Sequence, residues 1–152
     1  MDAARINNAA EAGLLAPINS AELKRNIPQQ YRDPKNRWFG LTRRVRAIIV
    51  NPSLVNPSEL KTYSDLANPK FKGKLCLRKR KNVYNQSLVA DQIILKGEAK
   101  ASQWVKGMVN NVSQPFYSGD TSLIRAVGQG KCGIGVVNHC LLYTSPSPRD
   151  SV

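Results

Sequence analysis

The sequence has little of the side chains from which most metal centres and catalytic sites are built. It contains a single histidine, His139, and three cysteines, none of which forms the CxxC pair of a structural zinc site. The hydroxyl of Ser87 has no histidine near it in the sequence, so nucleophilic catalysis of the serine hydrolase kind has no support. We therefore expect a protein without enzymatic activity.

Long apolar runs are also absent. No stretch approaches the roughly 20 residues that a membrane-spanning helix needs, and residues 1–5 lack the basic start and apolar core of a signal peptide. Taken alone, the missing signal peptide indicates a cytoplasmic protein, an inference that fails if the sequence is a fragment. The 152 residues are 41% hydrophobic and 22% charged, which is typical of a globular domain with its own core.

Acidic residues are scarce, with 10 against 23 basic residues and a formal net charge of +13. This balance predicts attraction to small anions, nucleic acid or acidic membrane surfaces, and it does not choose among them. The basic run at 78–81 has no interleaved aromatic residues, and the sequence carries no recognised DNA- or RNA-binding motif. A basic nucleic-acid-binding module remains an alternative from a different functional class.

Turn residues and apolar periodicity divide the chain into alternating helices and strands. Asp2 and Ser20 are suitable N-caps for two short helices, and the apolar spacing at 98–110 is the clearest helical pattern. Further helices are predicted at about 85–96 and 120–128, and strands at 38–41, 42–50, 74–78 and 132–138. Strands interleaved with helices predict an α/β layered fold with a largely parallel sheet.

Two of the three cysteines lie in apolar, strand-like runs. Cys76 falls within the predicted strand 74–78, and Cys132 begins the predicted strand 132–138. If these strands are neighbours, a disulfide between the two cysteines is geometrically feasible. Closing so long a loop contributes roughly 3–5 kcal/mol in the chain-entropy treatment. Two buried thiols are the equally weighted alternative at this point.

One tyrosine occupies an unusual electrostatic position. Tyr84 lies at the start of a predicted helix, directly after the basic run at 78–81. The first turn of a helix carries partial positive charge and unpaired N–H groups, and neighbouring cations favour a phenolate over a phenol. A phenolate is a hard anionic oxygen ligand that suits ferric iron. The alternative is a half-buried tyrosine at a sheet edge, with no ligand role.

Several stretches resemble one known family, and they occur in the family's order. They are residues 2–5, 12–15, 38–44, 56–60, 63–69, 72–74, 82–87, 119–121 and 133–138. The chain resembles the middle portion of bacterial periplasmic ferric-iron-binding proteins, the solute receptors of iron(III) ABC importers. The segment 65–74 is shared widely among periplasmic receptors, whereas the Asn-Val-Tyr-Asn-Gln-Ser stretch at 82–87 is more specific to the ferric group.

The resemblance implies a fragment of the type II periplasmic-binding-protein fold, in which two lobes close on the ligand like a hinged clamp. Residues 1–45 would belong to the first lobe, 46–51 would form one hinge strand, and 52–139 would make up most of the second lobe. Residues 140–152 do not match the family, and they are expected to be a disordered or non-native tail rich in proline and serine.

The resemblance also implies a function and a set of ligands. A monomeric periplasmic receptor would capture Fe(III) together with a synergistic anion and deliver it to an ABC permease of the inner membrane, with no nucleic acid partner. Tyr84 matches the family's tyrosine ligand, and Arg44 matches the arginine that holds the anion. From the residues alone, Arg44 and Arg46 alternate on one strand face and have a solvated role as their alternative.

The family's adjacent pair of tyrosines is missing from this sequence. Residues 140–142 (Cys-Leu-Leu) occupy the place of the pair. We therefore expect the metal site of this chain to be incomplete, with one phenolate and one anion leaving much of an octahedral shell unfilled. The same receptor fold with a different solute is a further alternative.

Overall fold

The computed structural model describes residues 2–144. The chain divides into two compact units, one up to Arg43 and the other from Arg44 onward. This division lies two residues before the predicted boundary between the first lobe and the hinge strand. The assignment of the two units to the lobes of a receptor stays a prediction.

The first unit begins with two short helices, α1 at Ala3–Glu11 and α2 at Ala21–Asn26. The predicted caps are in place, because Asp2 accepts a hydrogen bond from the Arg5 amide and Ser20 accepts one from the Leu23 amide. A 3-10 turn follows at Gln29–Tyr31. These local signals therefore specify where both helices begin.

The predicted strand at 38–41 does not form. The segment makes a single isolated bridge, from Phe39 to Arg32, and the Gly40 amide donates to the Tyr31 carbonyl at 2.7 Å. An apolar run of four residues with a glycine inside it has too few pairing positions to support a strand. The prediction at 38–41 was therefore wrong.

The second unit is built on a three-stranded sheet with the order β1-β3-β2. The strands are β1 at Arg46–Val50, β2 at Leu75–Cys76 and β3 at Ile134–Asn138. β2 runs parallel to β3, but β1 is antiparallel to it over five residue pairs. The expectation of a largely parallel sheet was therefore wrong for β1. A continuous apolar run indicates that a strand is buried, and a buried strand can run parallel or antiparallel to its neighbour.

Three helices complete the core of this unit. They are α3 at Val83–Lys96, α4 at Glu98–Asn110 and α5 at Asp120–Gly128. Side chains of α4, including Trp104 and Met108, join a buried cluster with β3. At Gly135 of β3 an added Cβ would lie 2.4 Å from a methyl of Leu123, so only glycine permits α5 to approach the sheet this closely.

Cys76 and Cys132 form a disulfide, with their Cα atoms 5.9 Å apart. Both cysteines are buried. Cys132 precedes β3 instead of lying inside it, and β2 comprises two residues where five were predicted. The bond therefore joins the end of β2 to the segment leading into β3.

The last described element is α6 at Cys140–Thr144. It occupies the first five residues of the predicted tail, so residues 140–144 are helical instead of disordered, and the alternative that they are non-native stays a prediction. The remainder of the predicted tail, 145–152, lies outside the described residues. Among residues 2–144, no helix is both long enough and apolar enough to cross a membrane.

Candidate functional site

The start of α3 fixes the position of Tyr84. Asn82 is the N-cap, and its side-chain oxygen accepts hydrogen bonds from the amides of Tyr84 at 3.1 Å and Asn85 at 3.4 Å. This cap satisfies two of the amides that a helix start leaves without partners. Tyr84 is thus held in the first turn of α3 with its ring half-buried.

The two site residues predicted from the family resemblance meet in the structure. Arg44 Nη1 donates a hydrogen bond to Tyr84 Oη at 3.0 Å. Arg44 lies two residues before β1 and is exposed. It is therefore solvated, as the alternative prediction has it, and it also contacts the phenol. The contact places a guanidinium group within hydrogen-bond distance of the phenol oxygen.

Two further arginines flank the ring of Tyr84. The guanidinium carbons of Arg46 and Arg78 lie 5.9 Å and 5.8 Å from the ring centroid, within the range of a cation–π interaction. Their side chains are only 9% and 13% exposed. The sequence placed Arg78 near Tyr84 only as part of the basic run at 78–81, and it placed Arg46 in the hinge strand without assigning it to Tyr84.

One buried carboxylate holds both of these arginines. Asp120 Oδ2 pairs with Arg46 Nη1 at 2.8 Å, and Asp120 Oδ1 pairs with Arg78 Nη1 at 3.1 Å. The Asp120 side chain is fully buried, and its Oδ2 also accepts a hydrogen bond from the Asn138 amide at 2.9 Å. Gly119 occupies the N-cap of α5, so Asp120 serves the arginines and leaves the capping position to its neighbour.

The remaining Nη donors of the two arginines are also used. Arg46 donates to the Val136 carbonyl at 2.6 Å and to the side-chain oxygens of Asn85 and Asn138, both at 3.2 Å. Arg78 donates to the Ser118 carbonyl at 2.8 Å. Burial lowers the pKa of the Arg46 guanidinium, and Asp120 opposes this shift. Arg46 nonetheless stays protonated, because arginine pKa values lie far above neutrality.

The site keeps an excess of positive charge. The groups around Tyr84 comprise three guanidinium groups, those of Arg44, Arg46 and Arg78, and one carboxylate, that of Asp120, which leaves a net charge of two positive units beside the phenol. Such a field favours a bound anion. Within residues 2–144, no three His, Cys, Asp or Glu side chains group as metal ligands. His139 Nδ1 accepts a hydrogen bond from the Val45 amide.

The sequence did not predict that Asp120, Arg46 and Arg78 form one cluster. The available signal was an arginine at the start of an apolar strand and an aspartate inside the Gly-Asp-Thr stretch at 119–121. A charge in an apolar strand needs a partner once buried. The partner of Arg46 lies 74 positions away along the chain, so no local pattern identifies it.

Comparison with known proteins agrees with the architecture. The model of a family described as bacterial extracellular solute-binding protein matches residues 1–147. The chain is 41% identical to iron uptake protein A1 of Synechocystis over 138 residues, which is 91% of the chain and 38% of that protein.

Two solved structures have the same fold. A Trichodesmium protein in complex with iron and citrate ligands is 44% identical with a TM-score of 0.86, and the ferric binding protein of Campylobacter jejuni is 33% identical with a TM-score of 0.88. In each case the match covers 98% of this chain and 48% of the other.

These matches identify the fold and the family of the chain. The chain spans about half the length of the structures it matches, and it has the α/β fold of part of a type II periplasmic binding protein. The family model covers nearly the whole sequence. The chain belongs to the family of bacterial extracellular solute-binding proteins.

Proposed function

We propose that this chain is part of an extracytoplasmic receptor that captures ferric iron for an ABC importer, with Tyr84 as a phenolate ligand and Arg44 holding a synergistic anion. The observation that carries the proposal is the 3.0 Å hydrogen bond from Arg44 to the Tyr84 oxygen, inside a cluster with excess positive charge. The names of the similar proteins, an iron uptake protein and a ferric binding protein, support the same cargo.

The chemistry of the cluster suits an oxyanion next to a phenolate. A guanidinium presents a planar fork of donors that matches carboxylate oxygens, and Arg44 is exposed enough to offer that fork to a ligand. The Asn138 Nδ2 and the Nε atoms of Arg46 and Arg78 are buried without a hydrogen-bond partner in the described part of the chain. A site with such unsatisfied donors favours negative oxygen atoms over a bare cation.

The iron shell would need more ligands than these two residues provide. A phenolate and an anion of one or two oxygens leave positions of an octahedral shell to water or to other parts of the receptor. We infer that the site of this chain taken alone is incomplete, and that it retains iron far more weakly than a receptor of the length of its relatives. Periplasmic location, a monomeric state and delivery to an inner-membrane permease complete the proposal.

The test uses a version of the protein extended to the length of its relatives and offered chelated Fe(III) at neutral pH. The parent should develop the visible colour of a tyrosinate-to-iron charge-transfer band. Tyr84→Phe should abolish the colour, because it removes the phenolate oxygen and little else. Arg44→Ala should keep some colour and lose iron to a competing chelator about tenfold more readily or worse, a loss of about 1.4 kcal/mol or more.

Tyr117→Phe is the matched control, because it removes the hydroxyl of another half-buried tyrosine of the second unit. It should leave the colour unchanged. Full colour in Tyr84→Phe would overturn the assignment of Tyr84, and an uncoloured parent would favour the same fold with another solute. Steeply salt-dependent binding to nucleic acid by the parent would favour the nucleic-acid-binding alternative.

A further inference from the structure

Tyr84 has three arginines around it but accepts a hydrogen bond from one. In the described part of the chain, Arg44 alone donates to the Tyr84 oxygen, while Arg46 and Arg78 lie beside the ring. This arrangement separates two effects of an arginine, its charge and its hydrogen bonds. The charge acts on the ring and its oxygen from any side, whereas each hydrogen bond to the oxygen occupies a lone pair that a metal would need.

We propose that Asp120 is a positioning residue for the Tyr84 site, and that it directs the N–H groups of Arg46 and Arg78 away from the phenol oxygen while keeping their charge at the ring. The inference rests on the proposed function of Tyr84. Asp120 touches neither the ring nor the phenol oxygen in the contacts of the described residues, so it acts through the two arginines.

The geometry of the carboxylate carries this proposal. Each oxygen holds one arginine, with Arg46 on Oδ2 and Arg78 on Oδ1. The Ser118 carbonyl takes the second Nη of Arg78, and main-chain and amide oxygens take the second Nη of Arg46. Among the three arginines, Arg44 is the one whose hydrogen bond in the described residues goes to the phenol oxygen, whereas the Nη atoms of Arg46 and Arg78 donate to other acceptors.

The two oxygens of Asp120 are not equivalent. Oδ2 serves both Arg46 and the buried Asn138 amide, whereas Oδ1 serves Arg78 alone. In Asp120→Asn, the amide oxygen should therefore take the Oδ2 position, where it keeps two hydrogen bonds. The amide nitrogen would then face Arg78, donor against donor. Arg78 is also the more exposed of the two arginines, so it is the one that should be released.

The first experiment uses the 152-residue chain without iron and measures proton NMR shifts of the arginine side chains. In the parent, the δ protons of Arg46 and Arg78 should be shifted by the ring current of Tyr84. Asp120→Asn should remove most of the shift at Arg78 and retain most of it at Arg46. Tyr84→Phe keeps an aromatic ring and should preserve both shifts, while Tyr84→Leu should remove both and so identify their source.

Asp33→Asn is the matched control for the loss of a buried, arginine-paired carboxylate. The side-chain hydrogen bonds of Asp33 go to Lys35 and Arg37, so this variant should leave the shifts of Arg46 and Arg78 unchanged. If Asp120→Asn does not fold, Asp120→Glu retains the charge and displaces it by one methylene, which should alter both shifts. Unchanged shifts in the folded Asp120 variant overturn the positioning role.

The second experiment adds chelated Fe(III) to the version extended to the length of its relatives. A released Arg78 would compete for the phenolate oxygen, so Asp120→Asn should shift the wavelength of the charge-transfer band and lose iron about tenfold more readily. A purely structural role predicts a less stable protein with the band in its original position, which would overturn the proposal. An uncoloured parent whose NMR shifts behave as expected would instead refute the iron function and leave the arginine geometry standing.

Discussion

Each of the two units contains a buried carboxylate paired with arginine, and the two clusters have opposite charge balances. In the first unit, Arg37 binds Asp33, with Nε to Oδ2 at 2.9 Å, and also reaches Glu11 at 2.9 Å. One cation therefore faces two carboxylates. In the second unit, Asp120 faces Arg46 and Arg78, with Arg44 nearby on the same tyrosine. One carboxylate and three cations therefore make up that cluster.

The two clusters also differ in what their arginines contact besides the carboxylates. Arg37 also donates to the Ala10 carbonyl at 2.7 Å, so its hydrogen bonds fasten the end of α1 to the loop at 33–37. Arg46 and Arg78 have their charge against an aromatic ring whose oxygen is a candidate ligand. The same pair of residue types thus fastens a helix to a loop in one unit and places positive charge beside Tyr84 in the other.

The comparison shows that two arginine–carboxylate clusters of opposite charge balance differ in whether they have charge left to attract an anion. A cluster whose carboxylates outnumber its arginines has no charge left to attract an anion. A cluster with surplus arginines is costly to bury, and it keeps positive charge that attracts an anion. The surplus in the second unit lies beside Tyr84, which is where the proposed site needs it.

The largest expected loss of stability comes from removing Asp120, the one carboxylate of the second cluster. Asp120→Ala would leave two largely buried guanidinium groups and the Asn138 amide without their acceptor. Breaking a buried pair in this way typically costs about 3–5 kcal/mol, so we expect a loss of that order in the free energy of unfolding. Urea unfolding followed by Trp104 fluorescence, in a Trp38→Phe background, reports on this unit alone.

The control for that experiment removes one of the positive charges that Asp120→Ala leaves without a partner. Adding Arg78→Met to Asp120→Ala removes one of the two stranded cations, so the double variant should recover part of the lost stability. A double variant less stable than Asp120→Ala would contradict the view that unbalanced buried charge is the source of the loss.

The second prediction concerns acid sensitivity of the first cluster. Hydrogen bonds from Arg37 lower the pKa of Asp33 from its ordinary 3.8 to about 2. The folded state therefore binds this proton less readily than the unfolded state does. The stabilisation is fully present above the ordinary value and is lost as pH falls through about 2.

The measurement is urea unfolding between about pH 5 and pH 2, followed by Trp38 fluorescence in a Trp104→Phe background. The parent should lose stability steadily over this range, and Asp33→Asn should remove the part of the slope due to this group. An equal slope in parent and variant would contradict the depressed pKa of Asp33. This experiment tests the first cluster through the protonation of Asp33, whereas the second cluster is tested by removing Asp120.

The sequence predicted those parts of the molecule that depend on local patterns. The spacing of Ala101, Trp104 and Met108, with Gly97 before them, specified α4 at its observed bounds. Asp2 and Ser20 located α1 and α2 in the same way, because a cap acts within three residues of its own position. The meeting of Tyr84 with Arg44 came from a different source, the family resemblance of residues 38–44 and 82–87.

The remaining features depend on contacts between distant residues. The direction of β1 is decided by its partner β3, about ninety positions away, and the apolar pattern is the same for either direction. Asp120 is the first residue of the helix predicted at 120–128, where an acidic side chain is locally favourable, and this position gave no sign of its pairing with Arg46 and Arg78. A charged residue that can satisfy a local rule gives no sign in the sequence that it satisfies a distant one instead.

The smallest expected effect comes from the exposed member of the first cluster. Glu11 pairs with Arg37, but its side chain is 68% exposed, so water screens the pair and the carboxylate gains little from it. Glu11→Ala should leave the free energy of unfolding within about 0.5 kcal/mol of the parent. Glu22→Ala is the control, because Glu22 is a similarly exposed helix residue whose partner, Arg25, lies on the same helix. A loss with Glu11→Ala as large as that from Asp33→Ala at neutral pH would mean that both carboxylates hold α1 in place, and that counting charges around Arg37 underestimates how tightly the first cluster is coupled.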